Sequence, residues 1–222
     1  MNEIVQYYNR LAGQYNEDRF NNTYGRYIDA QERKILNRLL QNPNAIVLDL
    51  ACGSGRLLNY ATMGADASSE MVQIAQSKYA DKKIYCCNAH QLPFDDHSVD
   101  TIISFHFLMH LDITYVQQIL QECHRILKPG GRIIFDIPSK KRRTLLHQQQ
   151  QDWHGAFSLS LDEIKILQPE LFNLQQSFGL LLLPIHRFPK KIRQYFTAID
   201  AALSKTFFKE YSSYLVIEYQ KK

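Results

Sequence analysis

The sequence predicts an α/β fold built on a parallel sheet, and three observations carry that expectation. Residues 45–48, Ala-Ile-Val-Leu, are a short apolar, β-branched run suited to a strand buried on both faces. Asp49 ends that run, and a small, glycine-rich loop follows it: Ala51, Cys52, Gly53, Ser54 and Gly55. Further apolar runs at 84–87, 101–105 and 133–137 recur between helical patterns, the alternation that builds parallel sheets.

The loop after the first strand is the natural place for a ligand. Its glycines carry no Cβ to obstruct a close approach, and ligands of open α/β sheets lie at the carboxyl ends of the strands. A carboxylate at the strand tip suits an amine or a ribose and suits a pyrophosphate badly. The dinucleotide fingerprint fits poorly for that reason, and because Leu58 stands where its third glycine or alanine belongs. Asp66, 17 residues after Asp49, falls near the next strand tip, where a carboxylate can accept both hydroxyls of a ribose.

In order, the chain presents AIVLDLACGSG, then GADASSEM at 64–71, then Asn88-Ala89, then LPFDDHSVD leading into TIISF, then LKPGGRIIFDI at 127–137. As an ordered set these motifs resemble the class I S-adenosylmethionine-dependent methyltransferases, and most closely the small bacterial type 11 group. The resemblance is close over residues 7–137 and looser beyond. It implies a Rossmann-like, doubly wound sheet of seven strands, mostly parallel with an antiparallel edge, under a helical N-terminal cover. It also implies S-adenosyl-L-methionine as cofactor, leaving S-adenosyl-L-homocysteine. On that pattern Asp49, Ala51, Cys52, Gly53 and Gly55 hold the methionine end, and Asp66 with Ala67 the ribose. Met71, Asn88 and Ala89 would hold the adenine, while Ser104 and Phe105 lie beneath the methionine portion. Asn88 replaces an aspartate found in many relatives; it keeps an acceptor oxygen and adds a donor.

The chain divides on this pattern into a cover (1–44), a cofactor-binding half (45–138) and an acceptor-side half (139–222) of one domain. Residues 2–20 read as one amphipathic helix and 25–40 as a second, stopped by Asn42-Pro43. Tyr7, Tyr15 and Arg19 are the cover's candidate pocket residues by resemblance, against the plainer reading that they pack the cover onto the sheet. Residues 56–63 read as an unusually short helix, and the strand before Asp66 as truncated. Ser68 or Ser69 caps the helix that Met71 opens.

His106 and His110 stand four apart in SFHFLMHL. No acidic third ligand or HExxH pattern accompanies them, so no metal is expected. His106, nearer the strand tip, is the candidate general base, and His110 a candidate acceptor contact. Asp136 alone does not make a magnesium site. Asp112 caps a helix over 113–127 whose Val116, Ile119, Leu120, Cys123 and Leu127 point inward. Beyond Pro138, Trp153 and His154 are candidate acceptor contacts, and Ser160 with Glu163 makes a capping box. A strand at 172–184, a helix at 190–203 and a strand at 214–219 complete the sheet.

At 222 residues and a net charge of +4, the chain has an ordinary composition for a soluble protein. No leader segment opens it, and its longest apolar run, 179–185, is too short to span a bilayer. Four cysteines lack metal-ligand spacing and read as reduced thiols of a cytoplasmic protein. Basic clusters at 140–143 and 190–193 have the charge to attract RNA or an anionic membrane surface; the plainer reading is a solvated basic face. With no RNA-binding module or target-base motif, nucleic acid is disfavoured as acceptor. The aromatic cover and the Leu-rich stretch before Ile185 favour a small, lipid-like or carrier-linked acceptor, with peripheral membrane contact left open. Methyl transfer by in-line displacement is therefore expected. The alternatives are a nucleoside-binding module without catalysis and, further off, an RNA methyltransferase or a nicotinamide-dependent oxidoreductase.

Overall fold

The computed structural model describes residues 2–147 and 157–222. The cover comprises α1 (Asn2–Leu11), α2 (Tyr15–Phe20) and α3 (Thr23–Leu39). The single helix expected over 2–20 is thus broken in two, at a turn holding Gly13, where glycine favours interruption over continued helix. Asn22 caps α3 by accepting from the Gly25 N–H at 2.8 Å.

The α/β body follows as β1 (Val47–Leu50), β2 (Met63–Asp66), α4 (Ser69–Lys78), β3 (Lys83–Cys86), β4 (Val99–Ser104), α5 (Ile113–Ile126) and β5 (Leu127–Pro138). After it come α6 (Lys140–Leu145), α7 (Leu161–Lys165), β6 (Phe172–Leu180), α8 (Lys190–Leu203) and β7 (Tyr214–Lys221). The seven strands lie in the order β3-β2-β1-β4-β5-β7-β6. β7 runs antiparallel to both β5 and β6, and the remaining pairs are parallel. Strand order reverses between β1 and β4, which puts the crevice for a ligand over their carboxyl ends.

Alternation along β1 shows how the sheet is covered. Leu48 and Leu50 join the core shared with Val116, Ile119 and Leu120 of α5. Val47 faces the other way, into the core shared with Ile28, Leu36 and Leu39 of α3. Each fully buried leucine contributes about 1.5–3 kcal/mol, so both layers hold the sheet. Cys52 and Cys123 are buried, Cys86 and Cys87 less so, and all four are free thiols.

Four further expected elements differ. The first strand spans Val47–Leu50 rather than 45–48, and Ile46 before it is exposed. Between Gly55 and β2 there is no α-helix, only a 3₁₀ turn over Leu58–Tyr60, because β2 begins at Met63 and leaves no room for a longer element. β6 stops at Leu180 rather than 184, since Leu181 adopts a left-handed φ of 57°. α5 ends one residue early because Leu127 is already extended and pairs with Val99 as the start of β5. The caps at Ser68 and Asp112 and the Ser160–Glu163 box form as expected.

Candidate functional site

Over the carboxyl ends of β1, β2 and β4 lies a cavity of about 1040 Å³ of atom-free space, counting the part open to solvent. Its floor is the loop after β1. Ala51, Gly53 and Gly55 all take positive φ (58°, 54° and 88°), so the backbone doubles back within five residues. At Gly55 the conformation is also crowded: an added Cβ would lie 3.0 Å from Leu58 and from Tyr79. At Gly53 it would meet only Met71 Sδ, at 4.0 Å, so the loop leaves open space beside that side chain.

Two carboxylates organise this floor. Asp66 accepts from the Gly53 N–H and from the Ser68 N–H, each at 2.8 Å, tying the loop to the start of α4. Asp49 is fully buried, and its Oδ2 has no hydrogen-bond partner among the described residues. Burial pushes the Asp49 carboxyl up to about 7; nearby Arg56 opposes the shift and Asp66 adds to it. A buried, unpartnered carboxylate facing a cavity is a place for a cationic group. These residues fit the amino-acid end of S-adenosylmethionine.

Beside the loop sits a second cluster. His106 Nε2 lies 2.7 Å from Glu32 Oε1, and its Nδ1 lies 3.2 Å from Asp136 Oδ2. Its backbone, at a φ of 57°, is fixed by donation from the His106 N–H to Asp136 Oδ1 at 2.6 Å. Arg56 completes the group, 2.7 Å from Glu32 Oε2 and 2.5 Å from Asp29 Oδ1. Burial alone would raise Glu32, yet His106 and Arg56 hold it down to about 2. Asp136 goes the other way, because burial outweighs the pull of His106. Glu32, His106 and Asp136 are close enough to share a metal ion, but the charge of Arg56 already neutralises one side of Glu32. The cluster is a buried charge network.

His106 precedes a 3₁₀ turn over Leu108–His110, and its surroundings bear on its expected part as a base. With both ring nitrogens against carboxylates, His106 has none left to collect a proton from an acceptor. Both histidines line the cavity, and His110 Nε2 lies 3.1 Å from the Tyr8 hydroxyl. Tyr8, which sequence reasoning passed over for Tyr7, lines the cavity with Tyr15 and Phe20. Tyr7 packs edge-on against Tyr8 from outside the lining, at 5.4 Å between ring centroids. Arg19 is also off the lining, where its charge acts on Tyr15 and Tyr214. Phe20 caps the Arg56 guanidinium at 4.1 Å from its ring centroid.

Of the other expected residues, Ala51, Cys52, Ala67, Met71, Ala89 and Phe105 line the cavity. Asn88 is exposed and outside that lining; Gly55 is outside it too, but buried. Ser104 is buried beneath it, donating to the Leu50 carbonyl at 3.0 Å. The Leu-rich stretch before Ile185 gives no wall; Ile4, Val5, Leu50 and Leu57 do. Trp153 and His154 lie outside the described residues. Glu32 was missed because nothing in a 17-residue amphipathic helix marks one glutamate as the buried one.

Residues 48–135 match the family model of a methyltransferase domain. An uncharacterised protein of Methanocaldococcus jannaschii is 36% identical over 60% of this chain and 51% of its own length. The demethylmenaquinone methyltransferase of Thermotoga maritima is 35% identical over 63% of this chain and 65% of its own length. More distant relatives are named a malonyl-[acyl-carrier protein] O-methyltransferase, from Marinomonas, and a tRNA methyltransferase, from Bos taurus. The chain thus spans about half to two thirds of the length of the first two relatives. A solved S-adenosylmethionine-dependent methyltransferase of Thermotoga maritima superposes with a TM-score of 0.71 at 20% identity, covering 97% of this chain and 98% of that one. That likeness speaks for the fold. The strand order and the β1 loop agree with the methyltransferase domain matched over residues 48–135.

Proposed function

We propose that the chain transfers the methyl group of S-adenosylmethionine to a small, apolar or carrier-linked acceptor. The observation that carries this reading is the buried Asp49 carboxylate, its Oδ2 without a partner among the described residues, beneath a cavity lined by the rings of Tyr8, Tyr15 and Phe20. Asp49 and the loop at Gly53 would hold the amino-acid end of the cofactor. Asp66 keeps free lone pairs for ribose hydroxyls after accepting from the loop, and Met71 and Ala89 would border the adenine. When bound, the cofactor's sulfonium supplies an already activated methyl group. What remains for the protein is to align an acceptor and exclude water.

The cover residues serve both tasks. Phe20 stacks on Arg56, and α1 is tied to α4 where Ser68 donates to Asn9 at 2.5 Å. Burial raises the Tyr8 phenol well above its ordinary range, so Tyr8 stays protonated and donates to His110 when that Nε2 is unprotonated. This pair is the proton-accepting candidate for an acceptor hydroxyl. His106 is a positioning residue that fixes the turn between β4 and the cavity.

Support for the acceptor class comes from the apolar lining and from relatives named for a quinone precursor and a carrier-linked malonyl group. The test is transfer of labelled methyl from S-adenosylmethionine to a demethylated quinol, a carrier-linked acid and a tRNA pool. Labelling of either small acceptor is expected. Labelling of tRNA alone would overturn the acceptor class.

A further inference from the structure

The described residues include eleven exposed large apolar side chains, and eight of them belong to one corner: Leu145, Leu146, and six between Ile192 and Tyr211. α8 supplies Ile192, Tyr195 and Ile199, at a spacing that puts them on one helix face. The opposite face is anchored: Asp200, fully buried, accepts from Tyr27, Gln31 and the Leu183 N–H at 2.7–2.8 Å. A 3₁₀ turn over Phe207–Tyr211 packs against both α8 and α6, and presents Phe207 at 73% exposure beside Phe208. Scattered exposed apolar residues are ordinary; a concentration of this kind marks a surface meant to be covered.

Charge says what covers it. Residues 187–211 hold six basic side chains, Arg187, Lys190, Lys191, Arg193, Lys205 and Lys209, against Asp200 and Glu210. Asp200 is buried, and Glu210 is paired with Lys141 at 2.7 Å. The partner must therefore be anionic and apolar at once. A second copy of this chain would set like charges against each other. A polyanion such as RNA would meet the lysines but would leave Ile192, Ile199 and Leu145 without use. An anionic lipid surface meets both, with apolar side chains entering the acyl boundary and lysines at the headgroups.

We propose that α8 and the Phe207–Tyr211 turn dock this protein on an anionic phospholipid surface. The patch connects to the site through Tyr214, three residues beyond the turn, whose ring lies 5.5 Å from that of His106. The docking itself stands whatever the acceptor is.

Flotation with vesicles of phosphatidylcholine, alone or mixed in equal parts with phosphatidylglycerol, tests it on the full chain. The wild type should float with the mixed vesicles at least about tenfold more strongly than with phosphatidylcholine, and less at high salt. Phe207→Ser combined with Phe208→Ser, and separately Ile199→Asp, should each weaken that binding about tenfold. Circular dichroism confirms that each exposed-site variant is folded. No flotation by folded wild type would overturn the proposal, as would unchanged flotation of both folded variants. RNA binding or self-association lost in the same variants, without vesicle binding, would equally overturn it.

Discussion

The 2.7 Å contact between His106 Nε2 and Glu32 Oε1 joins the turn after β4 to the middle of the cover helix α3. Through Arg56, the same glutamate reaches the loop after β1. One buried carboxylate thus holds α3, the loop after β1 and the turn after β4 in register.

Replacing Glu32 should therefore cost more than an ordinary helix substitution. Glu32→Ala strands Arg56 and His106 without their buried partner, and a loss of about 3–5 kcal/mol in urea unfolding is expected. The pH dependence has a defined sign. A carboxyl held down to about 2 in the fold contributes stability that is present above about 4.5 and lost as pH falls toward 2. Between those limits wild type should lose more stability than Glu32→Gln does.

Asp49 behaves in the opposite sense. Its folded pKa, about 7 against an ordinary 3.8, makes the charged form unfavourable, so its cost grows as pH rises through that interval and is complete above 7. Asp49→Asn should be more stable than wild type at pH 8, by roughly 1–4 kcal/mol, while binding S-adenosylhomocysteine at least tenfold more weakly. Wild-type affinity should climb by about tenfold per pH unit up to about 7 and then level, because an ammonium partner needs the ionised carboxylate. Thermal unfolding and calorimetry across this range check both statements.

At Gly55 the expectation is structural. Gly55→Ala must hold a φ of 88° and place a methyl 3.0 Å from Leu58 and Tyr79. A loss of about 1–3 kcal/mol in unfolding free energy is expected, together with weaker cofactor binding. Gly13→Ala, with nothing within 4 Å of the added Cβ, is the control and should cost no stability.

Tyr8 and His110 separate binding from turnover. Tyr8→Phe keeps the ring that lines the cavity and removes the hydroxyl that meets His110. With a hydroxyl acceptor, kcat should fall by about 10²-fold while the affinity for S-adenosylhomocysteine holds. Equal falls in kcat and in cofactor affinity would assign Tyr8 to packing alone.

Much of this architecture was legible in the sequence because it rests on local signals. The apolar run before Asp49 signals a strand, although only its Val47 and Leu48 lie in β1; the loop's glycines, with Ala51, carry its positive φ, and Ser68, Asp112 and Ser160 are caps by residue type and spacing. The charge network was not legible. Glu32, His106 and Asp136 come from three distant segments, and only the fold brings their side chains together, so His106 looked free to act as a base. Tyr7 and Tyr8 likewise differ only in which way α1 is rotated, and hydrophobic spacing does not resolve neighbouring tyrosines. The helix expected after Gly55 failed for a geometric reason, since β2 begins too soon.

The most direct test of the account is calorimetric titration of S-adenosylhomocysteine into the wild type, Asp49→Asn and Asp66→Ala, with NAD as control. The account predicts binding by the wild type, at least tenfold weaker binding by both variants, and no heat from NAD. Folded wild type that ignores S-adenosylhomocysteine, or that binds NAD in its place, would contradict it.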